Sequence, residues 1–212
     1  KLKYVSGLFM SINTAKYQDF EKQGYKKIFG NSKEELYVDH QKYILSVKSS
    51  LPDHIEAFEV ENKIIKTMIK ESQKVISLNC GNGILEMNLP QEVVAIDNKK
   101  ENIEDATYNA KALGKDNIRF VYGDSLKKMV PFAKKKDYDT VIIRGINRIS
   151  DELKDTLRLG KVKTVIYVNS STSMLAKDLQ ELSKYYKVIE IKAVDSHIYQ
   201  SYVTSIVKLI KK

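Results

Sequence analysis

Val75-Ile76-Ser77-Leu78-Asn79-Cys80-Gly81-Asn82-Gly83 is an apolar run of strand length that ends in a glycine-rich turn, with a helix-like segment after it. Such a run is how a strand hands a nucleotide-like ligand to the start of a helix. Gly81 and Gly83 permit a sharp turn and a close approach of backbone to ligand that a Cβ would prevent. The same pair of glycines also suits an ordinary strand-to-helix turn, so the neighbouring segments must decide between the two readings.

Downstream, Glu92-Val93-Val94-Ala95-Ile96-Asp97 reads as a second buried strand ending in an acid. Residues 100–113 then form a helix with Ile103, Ala106, Ala110 and Leu113 inward, ended by Gly114. Strand 118–122 leads into Gly123-Asp124 and a short helix after Ser125. Strand 140–143 precedes a helix capped by Ser150 and stopped near Gly160. A further strand, 164–168, leads to a helix over 174–185, and the chain closes with strands 188–194 and 203–210 joined without a helix. Upstream, apolar residues of 55–71 recur at helical spacing, with Asp53 as the expected N-cap beyond Pro52.

Strands alternating with helices require a parallel sheet wound on both faces, and a terminal strand pair without a crossover is antiparallel. The expected fold is therefore α/β, the Rossmann-like seven-stranded methyltransferase sheet with an antiparallel last strand, over residues 51–212. Residues 1–50 carry short strand-like runs, Gly7 to Ile12, Lys27 to Phe29, Leu36 to Val38 and Tyr43 to Val47, broken by turn residues. They are expected to form a small antiparallel β-region. Its aromatic residues serve either as packing or, with the lysines, as an RNA surface.

Bulk composition narrows the classes. A hydrophobic fraction of 42% with 30% charged residues is that of a globular chain rather than a disordered one. No apolar run approaches the ~20 residues of a membrane span, and no signal-peptide pattern opens the chain, so no membrane partner is expected. Lys and Arg outnumber Asp and Glu by 36 to 27, a net charge of +9 that suits a polyanion such as RNA, or simply a lysine-rich solvated surface. The single cysteine, Cys80, leaves no internal disulfide and no multi-cysteine zinc or iron-sulfur site within the chain. A reducing, cytoplasmic setting is expected. The sequence opens on Lys1 rather than methionine, which is compatible with a segment upstream.

In an open α/β sheet the ligand lies beyond the carboxyl ends of the strands. The residues there are Asn79, Cys80, Gly81, Asn82 and Gly83, then Asp97 and Asn98, Gly123 and Asp124, Arg144 and Gly145, and Asn169 and Ser170. Asp97 occupies the place for a carboxylate accepting both hydroxyls of a ribose, and Asp124 the place for an acceptor of an adenine amino group, with Gly123 leaving room for the ring. Each acid read alone fits a solvated loop better; together, at strand ends in this order, they point to ligand contact.

Val94-Ala95-Ile96-Asp97, Asn102 to Ala106, Asn109-Ala110, Gly114, Asn117 to Val121 and Gly123-Asp124 together resemble the RNA uracil-5-methyltransferase family. Tyr167-Val168-Asn169-Ser170, Leu175 to Leu179, Tyr186-Lys187-Val188 and Val194-Asp195 resemble its later signature, in the same order. The resemblance runs from about Tyr43 to the C-terminus and more faintly before it. It implies S-adenosylmethionine as cofactor, held by Asn79, Gly81, Asn82, Gly83, Asp97, Asn98, Gly123 and Asp124, and tRNA or ribosomal RNA as partner. Family members often carry an N-terminal OB-like RNA-binding domain, which this sequence does not include, and some hold an iron-sulfur cluster, which one cysteine cannot.

Family chemistry uses a thiolate to attack C6 of the uracil and a carboxylate to remove the C5 proton. Here the nucleophile position holds Ser170 and the general-base position Thr204. The acid of the segment after the fourth strand is replaced by Arg144, the Phe-Phe-Gln-like segment by Leu51-Pro52-Asp53, and the first-strand aspartate by Ser77. A serine hydroxyl without a base is a far poorer nucleophile than a thiolate, and threonine accepts no proton usefully. The expectation is a degenerate member of the family, a pseudoenzyme that keeps the cofactor cleft and binds RNA or a protein partner. The alternatives are an active RNA methyltransferase with altered chemistry or target, and a purely structural subunit. Arg144 is expected either to meet a phosphate or the cofactor carboxylate, or to turn to solvent. His40, His54 and His197 lack metal-ligand spacing and no metal site is expected. Lys134-Lys135-Lys136 reads as a solvated turn or a phosphate contact, and Cys80 as a small packing residue.

Overall fold

The computed structural model describes residues 5–11, 24–134, 138–146, 148–196 and 203–212. Lys135, Lys136 and His197 lie outside these residues. The chain divides into two compact units, Lys1–Ser49 and Ser50–Lys212.

The first unit is the expected small antiparallel β-region, built as two two-stranded sheets. β1 (Gly7–Met10) pairs antiparallel with β2 (Lys26–Gly30), and β3 (Lys33–Val38) with β4 (Gln41–Ser46). The β3–β4 turn is Asp39-His40, with φ of 48° and 64°. Two successive left-handed residues are what a tight two-residue hairpin requires, and Asp and His tolerate that region better than most side chains.

The second unit is a seven-stranded sheet in the order β10-β11-β9-β8-β5-β6-β7. Its strands are β5 (Lys74–Leu78), β6 (Glu92–Asp97), β7 (Ile118–Tyr122), β8 (Thr140–Ile143), β9 (Thr164–Asn169), β10 (Tyr186–Val194) and β11 (Thr204–Lys211). The central pairs β5–β6, β5–β8 and β8–β9 are parallel, whereas β11 is antiparallel to both β9 and β10, between which it lies. The sequence therefore predicts the sheet and its antiparallel last strand correctly.

Period-two alternation sends successive apolar side chains to opposite faces, and both faces are covered. Ile76, Leu78, Val141, Ile143, Val165, Tyr167 and Val207 pack in one core with residues of α4 (Ser125–Ala133), α5 (Asp151–Leu159) and α6 (Thr172–Leu182). Val75, Val93, Ala95, Ile142, Ile166 and Ile206 pack in the other with Ile65 and Met68 of α1 (Ile55–Met68). α3 (Lys100–Ala112) buries Ala106 and Ala110. Edge strand β10 has no second neighbour among the described residues, and mostly half-buried and exposed side chains alternate along it.

Three local readings are corrected. The N-cap of α1 is His54, not Asp53, and the helix stops at Met68. The helix after the glycine turn is one buried turn, α2 (Ile84–Met87). α6 begins at Thr172 and ends at Leu182, because residues 183–185 turn directly into β10. Ser150 caps α5 as expected, accepting from Leu153 N–H at 3.2 Å, and Gly160 closes it.

Candidate functional site

The strand order reverses its winding at β5, whose neighbours are β6 on one side and β8 on the other, and the crevice outside a reversal is where open α/β sheets bind ligands. A cleft of about 310 Å³ lies there, lined by Asn79, Cys80, Gly81 and Asn82 from the turn after β5, Arg144, Gly145 and Ile146 after β8, Asn169 and Ser170 after β9, Thr204 of β11, and Phe58 and Glu61 of α1. Ser50, Leu51, Pro52 and Val168 complete the wall. Of the predicted site residues the fold brings Asn79, Gly81, Asn82, Arg144, Ser170 and Thr204 together; Gly83, Asp97, Asn98, Gly123 and Asp124 do not line this cleft.

The turn is shaped by three left-handed residues, Asn79 (φ 53°), Gly81 (φ 60°) and Gly83 (φ 71°). A Cβ on Gly81 would meet no heavy atom within 4 Å, so this glycine leaves open space beside the turn. Gly83 differs: it is buried, and a Cβ there would stand 2.5 Å from the Phe120 ring. The absence of a Cβ there serves packing between strand and helix. Asn79 uses its side chain as a bridge, Nδ2 donating to Arg144 O at 3.0 Å and Oδ1 accepting from Ser125 Oγ at 2.6 Å. Asn82 Nδ2 donates to Ser50 O at 2.7 Å. Both amides hold neighbouring loops through these bonds.

Asp97 lies behind the glycine turn. Its carboxylate is 5% exposed: Oδ2 accepts from Gly81 N–H at 2.9 Å, and Oδ1 from Lys99 N–H at 2.8 Å and Asn102 Nδ2 at 3.1 Å. These three bonds use most of the about four acceptor positions of the carboxylate. The left-handed turn strips Gly81 N–H of a strand partner, and the nearest acid supplies one. Asp124 is exposed and caps α4, accepting from Lys127 N–H at 2.8 Å, and Asn98 is exposed.

Arg144 neither turns to solvent nor stands alone. Its Nη2 donates to Glu86 Oε1 at 2.7 Å and to Cys80 O at 3.3 Å, and Glu86 is fully buried. Ser77 Oγ donates to the same Oε1 at 2.7 Å. Glu86 from α2 thus joins Ser77 of β5 to Arg144 after β8 through one carboxylate oxygen. Glu86 Oε2 and Arg144 Nε are buried without hydrogen-bond partners. Sequence reading passed over Glu86, although one acid within an apolar Ile-Leu-Glu-Met turn beside the glycines is a visible signal.

Burial pushes the Cys80 thiol well up, and the neighbouring Glu86 and Asp97 charges push it further. It is a packing residue, as predicted.

On the other side of the cleft, Asn169 positions the loop that carries Ser170. Its Oδ1 accepts from Ser171 N–H at 2.7 Å, and Nδ2 donates to Tyr167 Oη at 2.7 Å and Ile146 O at 3.2 Å. Tyr167 Oη donates to buried Asp178 at 2.8 Å, which also accepts from Ile149 N–H at 3.0 Å. Burial, and then the Asp178 carboxylate, raise the Tyr167 phenol far above its ordinary range. Thr204 is 6% exposed, opposite Val194, and Ser205 is opposite Asn169. Glu61 of α1, which no sequence signal singled out, is hydrogen-bonded with Ser196 just past β10. Among the described residues no cluster of three or more His, Cys, Asp or Glu side chains is placed to hold a metal ion, and no helix is long and apolar enough to cross a membrane.

A seven-stranded sheet of this order, with its cleft at the β5 reversal, defines the Rossmann-like methyltransferase class. The methyltransferase-domain family model matches residues 69–209, and the chain belongs to that family. A Bacillus cereus protein named as an uncharacterized RNA methyltransferase is 32% identical over 146 residues, covering 66% of this chain and 32% of that protein. A Streptococcus pneumoniae protein of the same name is 27% identical over 211 residues, covering 96% and 47%. The chain spans between about a third and a half of the length of these relatives. The crystal structure of the Pyrococcus abyssi tRNA (uracil-54, C5)-methyltransferase in complex with S-adenosyl-L-homocysteine superposes with a TM-score of 0.80 at 20% identity, covering 97% of this chain and 51% of that one.

Proposed function

We propose that this chain is the methyltransferase-fold part of an RNA-directed protein of the uracil-5-methyltransferase type. In this reading it binds S-adenosylmethionine in the β5–β8 cleft, has tRNA or ribosomal RNA as its partner in the cytoplasm, and does not carry out uracil C5 methylation. The observation that carries it is the make-up of the cleft: Ser170 and Thr204 stand where the resemblance calls for a thiolate and a carboxylate. The RNA direction rests on the names of the relatives and on the net charge of +9.

The residues present suit the cofactor on two counts. The open face of Gly81 leaves backbone accessible, and the orphaned Nε–H of Arg144 marks an incompletely satisfied guanidinium at the cleft floor. When bound, the cofactor supplies an electrophilic methyl group. Cys80, Gly81 and Arg144 would hold it, with Asp97 fixing the turn from behind. Ser170, with no base hydrogen-bonded to it among the described residues, does not generate an alkoxide at neutral pH.

A second reading, methyl transfer to an RNA atom that needs no covalent activation, is favoured by Glu61, the one carboxylate among the described residues lining the cleft. Two measurements decide. Calorimetry with S-adenosylmethionine is expected to show binding, and none near millimolar ligand would reject both readings. Transfer from labelled cofactor to unmodified total RNA is expected to give no C5-methyluridine; finding it would refute the main reading. Ser170→Cys with Thr204→Glu is expected not to restore C5 methylation, because position 204 is buried in β11 and a glutamate there is either desolvated or displaced.

A further inference from the structure

We infer that Arg144 is the anion anchor of the cleft and receives the α-carboxylate at the amino-acid end of the cofactor; this rests on the cofactor reading given above. Among the described residues lining the cleft, Arg144 is the one cationic side chain. It is 15% exposed, held from below by fully buried Glu86 through Nη2, and pressed against the glycine turn by its bond to Cys80 O. Both of these bonds use Nη2, and Nη1 makes no hydrogen bond to any described residue.

A guanidinium offers five N–H donors in a fixed planar fork, and here only one nitrogen is engaged. Clamping by Glu86 and Cys80 O fixes the plane, so little side-chain entropy remains to be lost when an anion docks on the free part of the fork. Glu86 Oε1 is satisfied by Ser77 and Arg144 together. The pair is net neutral, so the attraction for a carboxylate is directional hydrogen bonding from Arg144 rather than excess charge. That arrangement selects a small carboxylate next to the turn over a bulky polyanion. Ser77 and Arg144, two departures from the family pattern, are accordingly parts of one rebuilt subsite.

The test compares two ligands by calorimetry: S-adenosylhomocysteine, and S-adenosyl-3-thiopropylamine, which keeps the ammonium group and lacks only the carboxylate. The wild-type chain is expected to bind the first about 10- to 100-fold more tightly, the range for loss of a charge-assisted hydrogen bond. The Glu86→Gln/Arg144→Met double variant removes both charges and keeps an acceptor for Ser77; it is expected to bind the two ligands within about twofold of each other. Its far-UV circular dichroism and melting confirm folding, and Arg144→Lys, which keeps charge but loses the fork, is expected to recover only part of the discrimination. Equal affinities in the wild type, or undiminished discrimination in the double variant, would overturn the anchor. No binding of either ligand to the wild type would instead overturn the cofactor reading beneath it.

Discussion

Glu86→Ala should be among the most damaging single substitutions in the second unit. Glu86 is fully buried and its Oε1 takes hydrogen bonds from both Ser77 Oγ and Arg144 Nη2 at 2.7 Å. Removing it leaves a guanidinium only 15% exposed without its counter-ion, and a buried hydroxyl without its acceptor. Breaking one side of a buried ion pair costs about 3–5 kcal/mol. Because Arg144 lines an open cleft that water reaches, the lower end, about 3 kcal/mol, is the better figure. At about 2–4 °C per kcal/mol for a chain of this size, melting should fall by roughly 6–12 °C. Far-UV circular dichroism during heating reads this directly, since the chain has no tryptophan. The double variant Glu86→Gln/Arg144→Met leaves no buried charge and should regain most of the loss, as replaced buried pairs commonly do. A fall of less than about 3 °C for Glu86→Ala, or a double variant as unstable as the single one, would refute the pairing argument.

The two glycines of the turn should separate. Gly81→Ala incurs only left-handed strain, about 1–2 kcal/mol, whereas Gly83→Ala adds a clash with the Phe120 ring for about 2–5 kcal/mol in all, measurable by urea titration; equal costs would contradict the packing role of Gly83. Cys80 should resist a thiol reagent at pH 8 in the native state and react at once in urea, because burial holds it protonated; rapid native labelling would refute this. Burial also raises the Tyr186 phenol, whose Oη donates to Leu157 O and Val162 O, as it raises that of Tyr167. A phenol raised in the fold contributes stability that is complete below about pH 10 and lost as the unfolded chain ionises above it. Denaturation midpoints should thus hold to about pH 9 and then fall with a slope of up to about 1.4 kcal/mol per pH unit for each of the two tyrosines. A midpoint unchanged at pH 11 would count against both.

The sequence alone determined the alternation of strands and helices, the buried character of the central strands and the antiparallel end of the sheet. Each of these is written locally, in contiguous apolar runs such as Val75 to Leu78 and in the absence of a crossover helix before β11. It also located the glycine turn and the positions of Ser170, Thr204 and Arg144. What it could not supply is the pairing of side chains far apart in the chain. Ser77 and Arg144 read as two independent positions because Glu86, which joins them, sits on another element, and the bond from Gly81 N–H to Asp97 was invisible because it spans two strands. Periodicity fixes which face a side chain takes; only the packed sheet decides whether a polar group on that face is spent on a neighbour or remains for a ligand. The turn from Val75 to Gly83 was legible as a site, and the tertiary structure decided that its floor is an internal ion pair.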